Sequence, residues 1–431
     1  MLNIKPRPLG HQRCVITRSL QGVALVALLA SLTGGCAARV AVEDTLPVDP
    51  VREPEPIVAE YDFEPVLVRG TVHDDGTVST VAYDLPLLFT EANDYLRAGD
   101  NDNALRLYSL ILEHFEDPSF LPVTHYNTGL ALEALDRMDE AATHYEVVIE
   151  NWPHSEDGIW SRFRLAEIRF AQSRWPDVLP LMEQILIRST VTHLDRVEAH
   201  VRSGAALLEL RRLSDAASHF QRAIDLNSNA LQAWNPATSA ESQEPLAPGH
   251  ALIARSHFGL GRVYHELFSD IRLVLPQEQI TQDLVDKGQL FERAESSYVD
   301  AVRTGHPYWA PAAGFMVGQM YEDFYFDILA CEMPSDFDEL HQDVYFEELR
   351  ELIQPSLDRA MSIYENNLAM CYRIGAENEW TERTLSSIQR VRDYNTNQTG
   401  WEEEQQLIFH QRHPRSARFG DVMEFRSEAS R

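Results

Sequence analysis

Histidines and cysteines are the first candidates for acid–base, nucleophilic or metal chemistry in this 431-residue chain, and their spacing supports none of these. The "HE" pair at 265–266 lacks the second histidine that a metalloprotease helix needs four residues after the first. His193 and His200 could share a helix face, but solvated or core positions are the preferred interpretation. For Cys331 and Cys371, a disulfide and two free thiols both stay open. No GxSxG nucleophile motif is present, so the sequence predicts no enzyme, no metal site and no cofactor.

Charge excludes two further kinds of partner. Lys5 and Lys287 are the only lysines among 37 basic residues, and neither follows a glycine-rich phosphate loop, so no nucleotide site is expected. A formal net charge of −30 repels nucleic acid and leaves no basic footprint for it. The scarcity of lysine has two open explanations, genomic base composition and adaptation to a salty habitat.

The sequence around Cys36 predicts a covalent modification of this residue. Basic residues precede an apolar run from Leu20 to Leu32, which has the length of a secretory h-region and is shorter than the about 20 residues of a membrane span. The following "LTGGC" resembles the lipobox of bacterial lipoproteins, although Thr33 stands where that family usually has leucine. The resemblance implies a signal peptide over 1–35, a lipid on Cys36 and, from Ala37, retention at the outer membrane. Ordinary secretion and an uncleaved anchor are the alternatives.

Residues 36–85 predict an acidic, proline-rich linker between this anchor and the folded body. Pro-rich acidic chain is extended and stiff. Within it, "VLVRGTVHDDGTVSTVAYD" alternates apolar and polar residues around Asp75-Gly76, which indicates a β-hairpin.

A repeated spacing dominates residues 86–232 and predicts stacked helical hairpins. Ala104, Ala141, Val178 and Ala216 lie 37, 37 and 38 residues apart. A small residue precedes each of these by 12 positions, and a large residue follows it by four. The small residues are Ala92, Gly129, Ala166 and Gly204, and the large ones are Tyr108, Tyr145, Met182 and Phe220. Small residues let two helices approach closely, and the large residue, on the same face as the anchor, fills the gap to the next repeat. Turns are expected at Gly99-Asp100, Asp136-Arg137, Ser173-Arg174 and Arg211-Arg212.

These units resemble tetratricopeptide repeats, with Gly129, Ala141, Tyr145 and Pro153 in the order of that pattern. The predicted fold class is therefore all-α, a tetratricopeptide-type α-solenoid of about six helical hairpins with insertions, preceded by a signal peptide and an extended linker. Four units are expected over 86–232, a loop over 233–249, a divergent array with insertions over 250–395, and a disordered tail over 396–431. A last helix is expected at about Glu379 to Tyr394.

The resemblance also implies a site and a role. Ligands of tetratricopeptide proteins usually lie in a concave groove lined by the first helix of each hairpin. The corresponding partner-binding positions here are Phe89, Asn93, Arg97, Tyr126, Glu133, Trp160, Phe163, Glu167 and Phe170. Because few basic residues stand at these positions, capture of acidic peptide tails is disfavoured.

Three functions follow as hypotheses. The preferred one is a non-enzymatic periplasmic scaffold, lipid-anchored at the outer membrane, that binds other envelope proteins. Residues 287–380 resemble a tetratricopeptide lipoprotein of the gliding motility machinery of myxobacteria. The alternatives are a lipoprotein that helps to assemble outer-membrane barrels and a regulator of cell-wall enzymes.

Overall fold

The computed structural model describes residues 66–233, 249–331 and 339–396. The predicted signal peptide, Cys36, most of the linker, nearly all of the 233–249 loop and the tail lie outside these residues. The chain divides into two compact units, Met1–Ala141 and Ala142–Arg431. No helix among the described residues is long and apolar enough to cross a membrane.

The described part of the first unit begins with a two-stranded antiparallel hairpin at the predicted place. Its strands are β1 (Leu67–Val72) and β2 (Val78–Tyr83), and Val72 pairs with Val78 across the Asp75-Gly76 turn. Three helices follow: α1 (Leu85–Ala98), α2 (Asn101–His114) and α3 (Leu121–Ala134). Asp84 starts α1 by accepting a hydrogen bond from the Leu87 amide at 2.9 Å. Helices α1 and α2 share an apolar core that includes Phe89 and Tyr108.

Helix α4 (Met138–Asn151) crosses the boundary between the units, and the other helices of the second unit follow it in sequence. These are α5 (Glu156–Ala171), α6 (Trp175–Leu186), α7 (His193–Glu209), α8 (Leu213–Ala233), α9 (His250–Asp270), α10 (Gln277–Arg303), α11 (Trp309–Leu329), α12 (Glu339–Ile374) and α13 (Glu379–Thr396). The described residues contain thirteen helices, and consecutive helices such as α1 and α2 or α7 and α8 contact one another. The predicted all-α, tetratricopeptide-type fold is confirmed, and α13 lies where a last helix was expected.

The four predicted turns share one backbone feature. Gly99, Asp136, Ser173 and Arg211 all have positive φ, between 58° and 79°. Such a left-handed residue ends a helix sharply and lets the next one start within a few residues. Only glycine adopts this conformation without strain. The other three turn residues, Asp136, Ser173 and Arg211, therefore adopt it at a cost in free energy.

Small residues on first helices receive rings from second helices, as the repeat pattern predicts. A Cβ added to Gly261 of α9 would lie 2.6 Å from the Tyr298 ring of α10, and one added to Gly318 of α11 would lie 2.5 Å from Tyr364. The Phe220 ring of α8 fills the space beside Gly204 on its own first helix and Gly259 on the next one. Ring and glycine together set the distance between neighbouring helices.

The core of the second unit continues past the segment at 234–248. One apolar cluster joins residues of α7 and α8, such as Val201 and Phe220, to residues of α9 and α10, such as Phe268 and Leu290. The sequence predicted a loop between two arrays here, but both sides of the segment belong to one core. The insertions predicted in the divergent array contribute helix, since α10 has 27 residues and α12 has 36.

Candidate functional site

The first helices of the second unit lie side by side and form one surface. Helix α5 neighbours α7, α7 neighbours α9, and α9 neighbours α11. We call this surface the first-helix face and define it by Trp160, Glu167, Glu198, Arg202, Arg255 and Trp309. These side chains are all at least partly accessible to solvent, so the face combines aromatic and charged groups that a partner could reach.

Helix α5 contributes the residues that the sequence analysis emphasised. Trp160 is 37% exposed, whereas Phe163 is only 2% exposed, and their ring centroids lie 6.1 Å apart. Glu167 is accessible and Phe170 is half-buried. Trp160 therefore lies at the surface, and the buried Phe163 ring packs against it. Phe163 cannot serve as an exposed anchor in this conformation.

An arginine on α7 ties α5 and α7 together electrostatically. The Arg202 guanidinium donates to Glu198 at 2.7 Å and to the carbonyl oxygen of Phe163 at 3.1 Å, and lies 3.7 Å from a Glu167 oxygen. Its Cζ lies 5.4 Å from the centroid of the Phe163 ring, within the range of a cation–π contact. The network holds two carboxylates and one cation in fixed positions on the face.

Arg255 of α9 is the least compensated charge on this face. Its Cζ lies 5.8 Å from the centroid of the Trp309 ring. Protein atoms surround the guanidinium, and burial lowers the pKa of Arg255 to about 10, with Arg202 adding repulsion and Glu198 and Glu167 opposing it. Part of the side chain nevertheless remains open to solvent. A cation that is both desolvated and accessible favours an external anion.

Aromatic side chains of α9, α11 and α13 pack together around the Trp309 indole, which Arg255 contacts. Phe258 packs against Trp309 at 5.2 Å and against Trp380 at 6.1 Å between ring centroids. The Tyr308 hydroxyl donates to Glu379 at 2.7 Å. These contacts fix the orientation of the residues that adjoin the Trp309 indole.

The groove residues predicted in the first unit lie mostly inside it. Phe89 is fully buried, and Asn93 accepts hydrogen bonds from the Tyr108 hydroxyl at 2.7 Å and from Asn127 at 2.8 Å. Tyr126 is also buried, Glu133 is half-exposed, and Arg97 is exposed and paired with Asp94. Asn93 thus satisfies core hydrogen bonds in this unit, because its side chain points between helices rather than away from them.

Two sequence questions concern histidine, cysteine and acidic side chains in the part of the chain that the structure describes. No group of three or more histidine, cysteine or acidic side chains could hold a metal ion there. Cys331 and Cys371 are both free thiols, which decides between the two alternatives left open by the sequence.

The charged members of the first-helix face were not predicted from the sequence. Glu198, Arg202 and Arg255 occupy first helices, but none of them is among the positions that the family register assigned to the groove. The i,i+4 pairing of Glu198 with Arg202 was visible in the sequence. Arg255 could not be found in this way, since its neighbours come from other helices.

Comparisons with known proteins agree with this fold. The family model described as tetratricopeptide repeat matches residues 89–156 and 163–230. A search of curated proteins finds no match.

Among solved structures, the C-terminal part of a tetratricopeptide repeat-containing protein from Cytophaga hutchinsonii is 11% identical, covers 73% of this chain and 97% of its own, and has a TM-score of 0.38. A tetratricopeptide repeat protein from Parabacteroides merdae is 13% identical, covers 69% and 97%, and has a TM-score of 0.34. MamA from Desulfovibrio magneticus RS-1 is 17% identical, covers 49% and 94%, and has a TM-score of 0.32.

The family-model match shows that the chain carries tetratricopeptide repeats over residues 89–156 and 163–230. Repeats of this class typically act as non-enzymatic scaffolds for protein–protein interaction. The match covers the segments in which the repeated spacing was recognised. The helices beyond residue 250 continue the same pairing of ring and glycine.

Proposed function

We propose that this protein is a lipid-anchored scaffold on the periplasmic face of the outer membrane, where its first-helix face holds other envelope proteins. The observation that carries the binding function is this face, on which Trp160 and Trp309 flank charged groups held in place by packing. Aromatic and arginine side chains are favoured at binding hot spots. The support for the anchor is the lipobox-like "LTGGC", and the support for a motility complex is the resemblance of residues 287–380.

The binding function is tested with a photo-reactive phenylalanine analogue placed at Trp160 in cells that make the full chain. The same analogue at Arg303, which is exposed on the second helix α10, is the matched control. We expect a discrete crosslinked partner from position 160 and none from position 303. Equal crosslinking at both positions would assign binding to some other surface.

The anchor is tested by replacing Cys36 with serine. We expect palmitate labelling and outer-membrane fractionation to be lost, because the thiol is the predicted acylation site. Labelling that survives the substitution would refute the lipoprotein assignment and leave the binding function untouched. Identification of the crosslinked partner then separates a motility complex from barrel assembly and from cell-wall regulation.

A further inference from the structure

Arg162 of α5 is a buried cation without a carboxylate partner among the residues that the structure describes. Only 2% of the residue is exposed. Its guanidinium donates to the side-chain oxygen of Gln184 at 2.9 Å and to the carbonyl oxygens of Pro153 at 3.2 Å and Gly158 at 2.7 Å. Burial lowers the pKa of Arg162 to about 10, and repulsion from Arg188 adds to this effect. These acceptors are neutral, so they satisfy hydrogen bonds and leave the positive charge uncompensated.

Two more guanidinium groups lie beside Arg162 at the end of α6. The Arg188 side chain donates to the same Pro153 carbonyl oxygen as Arg162. The Arg196 side chain donates to the carbonyl oxygens of Leu186 at 3.2 Å and of Arg188. Neither pairs with an acidic side chain in the three described segments, although the chain carries 67 acidic residues. The carbonyl end of a helix supplies only about half a negative charge, so most of the positive charge remains for an external anion.

The turn that carries Arg188 also has an exposed apolar tip. Ile187 is 77% exposed, and Ser189 and Thr190 beside it are exposed as well. The surface of the turn therefore combines an apolar side chain, two hydroxyl groups and cations within a few residues. A membrane interface suits this combination, because apolar side chains enter its acyl boundary and cations attract its phosphates. A soluble anion would leave Ile187 in water.

We propose that the turn between α6 and α7 contacts a membrane, where Arg162 and Arg188 bind the phosphate of a lipid headgroup and Ile187 enters the interface. The Nη2 atoms of both arginines have no hydrogen-bond partner among the described residues and remain open to solvent, so each has donors for a phosphate oxygen. The net charge of −30 opposes approach to an anionic surface, but salt screens charges beyond about 8 Å, and the arginines lie at the contact. This inference rests on the proposed membrane location and identifies the surface that faces the lipid.

The test places a photo-reactive phenylalanine analogue at Ile187 in the full chain with Cys36→Ser, so that the predicted acyl anchor plays no part. The purified chain is illuminated with vesicles of phosphatidylglycerol or of digalactosyldiacylglycerol, which lacks phosphate, and lipid adducts are measured by mass spectrometry. The same analogue at Tyr372, which is 66% exposed on α12, is the matched control. We expect an adduct from position 187 with phosphatidylglycerol, at least about fivefold less with the galactolipid, and none from position 372. Equal yields with the two lipids, or no adduct from position 187, overturn the proposal.

Variants of the chain identify the residue responsible. Arg188→Gln should lower the phosphatidylglycerol adduct from position 187 at least about fivefold, because the phosphate loses a charged ligand. Arg174→Gln removes an exposed cation at the other end of α6, about 18 Å along the helix, and should leave the yield within about twofold. Circular dichroism melting of each variant shows whether the fold is retained, and the comparison of the two lipids stays decisive if Arg188→Gln unfolds. Equal yields from the wild type and a folded Arg188→Gln would overturn the proposal.

The outcome also separates this inference from the proposed function. A lipid adduct from position 187 without a protein crosslink from position 160 supports the membrane contact and refutes the scaffold function of the first-helix face. A protein crosslink from position 160 without a lipid adduct from position 187 supports the scaffold function and refutes the membrane contact.

Discussion

At the scale of single residues, the buried Lys287 shows why one position in the folded body uses lysine. Its ammonium donates to the carbonyl oxygens of Phe268 at 2.6 Å and Ile271 at 3.1 Å, and forms an ion pair with Asp327 at 2.7 Å. The two carbonyls lie at the end of α9, where the helix dipole favours a cation. A compact ammonium fills this fully buried site, whereas the larger guanidinium would not fit the same three acceptors. Burial lowers the pKa of Lys287, and Asp327 opposes that effect.

Also at this scale, a histidine pair predicts pH-dependent stability. The Nδ1 atoms of His200 and His219 lie 3.2 Å apart, so one ring must donate and the other accept while both are neutral. Burial lowers the pKa of His200 to about 4, with His219, Arg222 and Arg196 adding repulsion. Burial also lowers the pKa of His219, and Asp215 partly opposes this.

Because the folded pKa lies below the unfolded one, the unfolded chain takes up protons first as the pH falls. The free energy of unfolding should therefore decrease between about pH 6.5 and 4, by about 1–3 kcal/mol from this pair. His200→Leu should reduce that decrease in urea titrations at pH 7 and pH 5. His154→Leu, at an exposed position, is the control. Identical pH dependence in the wild type and His200→Leu would contradict the assignment.

At the scale of helices, glycines that look alike in sequence have opposite roles. An added methyl group at Gly261 meets the Tyr298 ring, whereas at Gly288 of α10 it meets nothing within 4 Å. Gly261→Ala should therefore lower the free energy of unfolding by about 1–3 kcal/mol through overpacking. Gly288→Ala should raise it by about 0.5–1 kcal/mol, because alanine is the better helix former.

Urea unfolding of the two variants measures both changes in the free energy of unfolding. The comparison is direct because each variant adds one methyl group. Destabilisation by both would mean that Gly288 has an unseen packing role. Stabilisation by both would mean that the contact between ring and glycine does not set the spacing of α9 and α10. Opposite signs would support the packing rule for the divergent half of the array, where the repeat spacing in the sequence is weakest.

At the scale of the whole molecule, the segment at 234–248 interrupts the sequence of the second unit without dividing its core. Phe220 of α8 packs against Gly259 of α9, and the shared cluster extends to Leu290. A protease site inserted after Ala240 and cleaved should therefore leave two fragments that elute together in size-exclusion chromatography. The buried apolar area stabilises their association without a covalent link.

A core variant provides the control for this experiment. Phe220→Ala removes the ring that both neighbouring helices contact, at a cost of about 3–5 kcal/mol. The cleaved Phe220→Ala protein should separate into fragments or do so at lower denaturant. Separation of the cleaved wild-type fragments under native conditions would show that the segment at 234–248 does divide two independent arrays.

The sequence alone determined the features that depend on local spacing. Helix pairs, their turns at Gly99, Asp136, Ser173 and Arg211, and the contact of rings with small residues follow from periodicity, which acts within one hairpin. The β-hairpin and the final helix were predictable for the same reason. The lipid anchor and the envelope location remain predictions, since Cys36 lies outside the described residues.

Only the tertiary structure decided which side chains share a surface. Phe163 and Asn93 occupy first-helix positions that family register assigns to a groove, but neighbouring helices bury both. Arg255 gains its place beside Trp309 and Arg202 from α11 and α7, which lie about fifty residues away on either side in the sequence. Stacking distance and helix rotation set such contacts, and they depend on the packing of every intervening side chain. A spacing pattern indicates which face of a helix is apolar. Tertiary packing determines which residues of other helices contact that face.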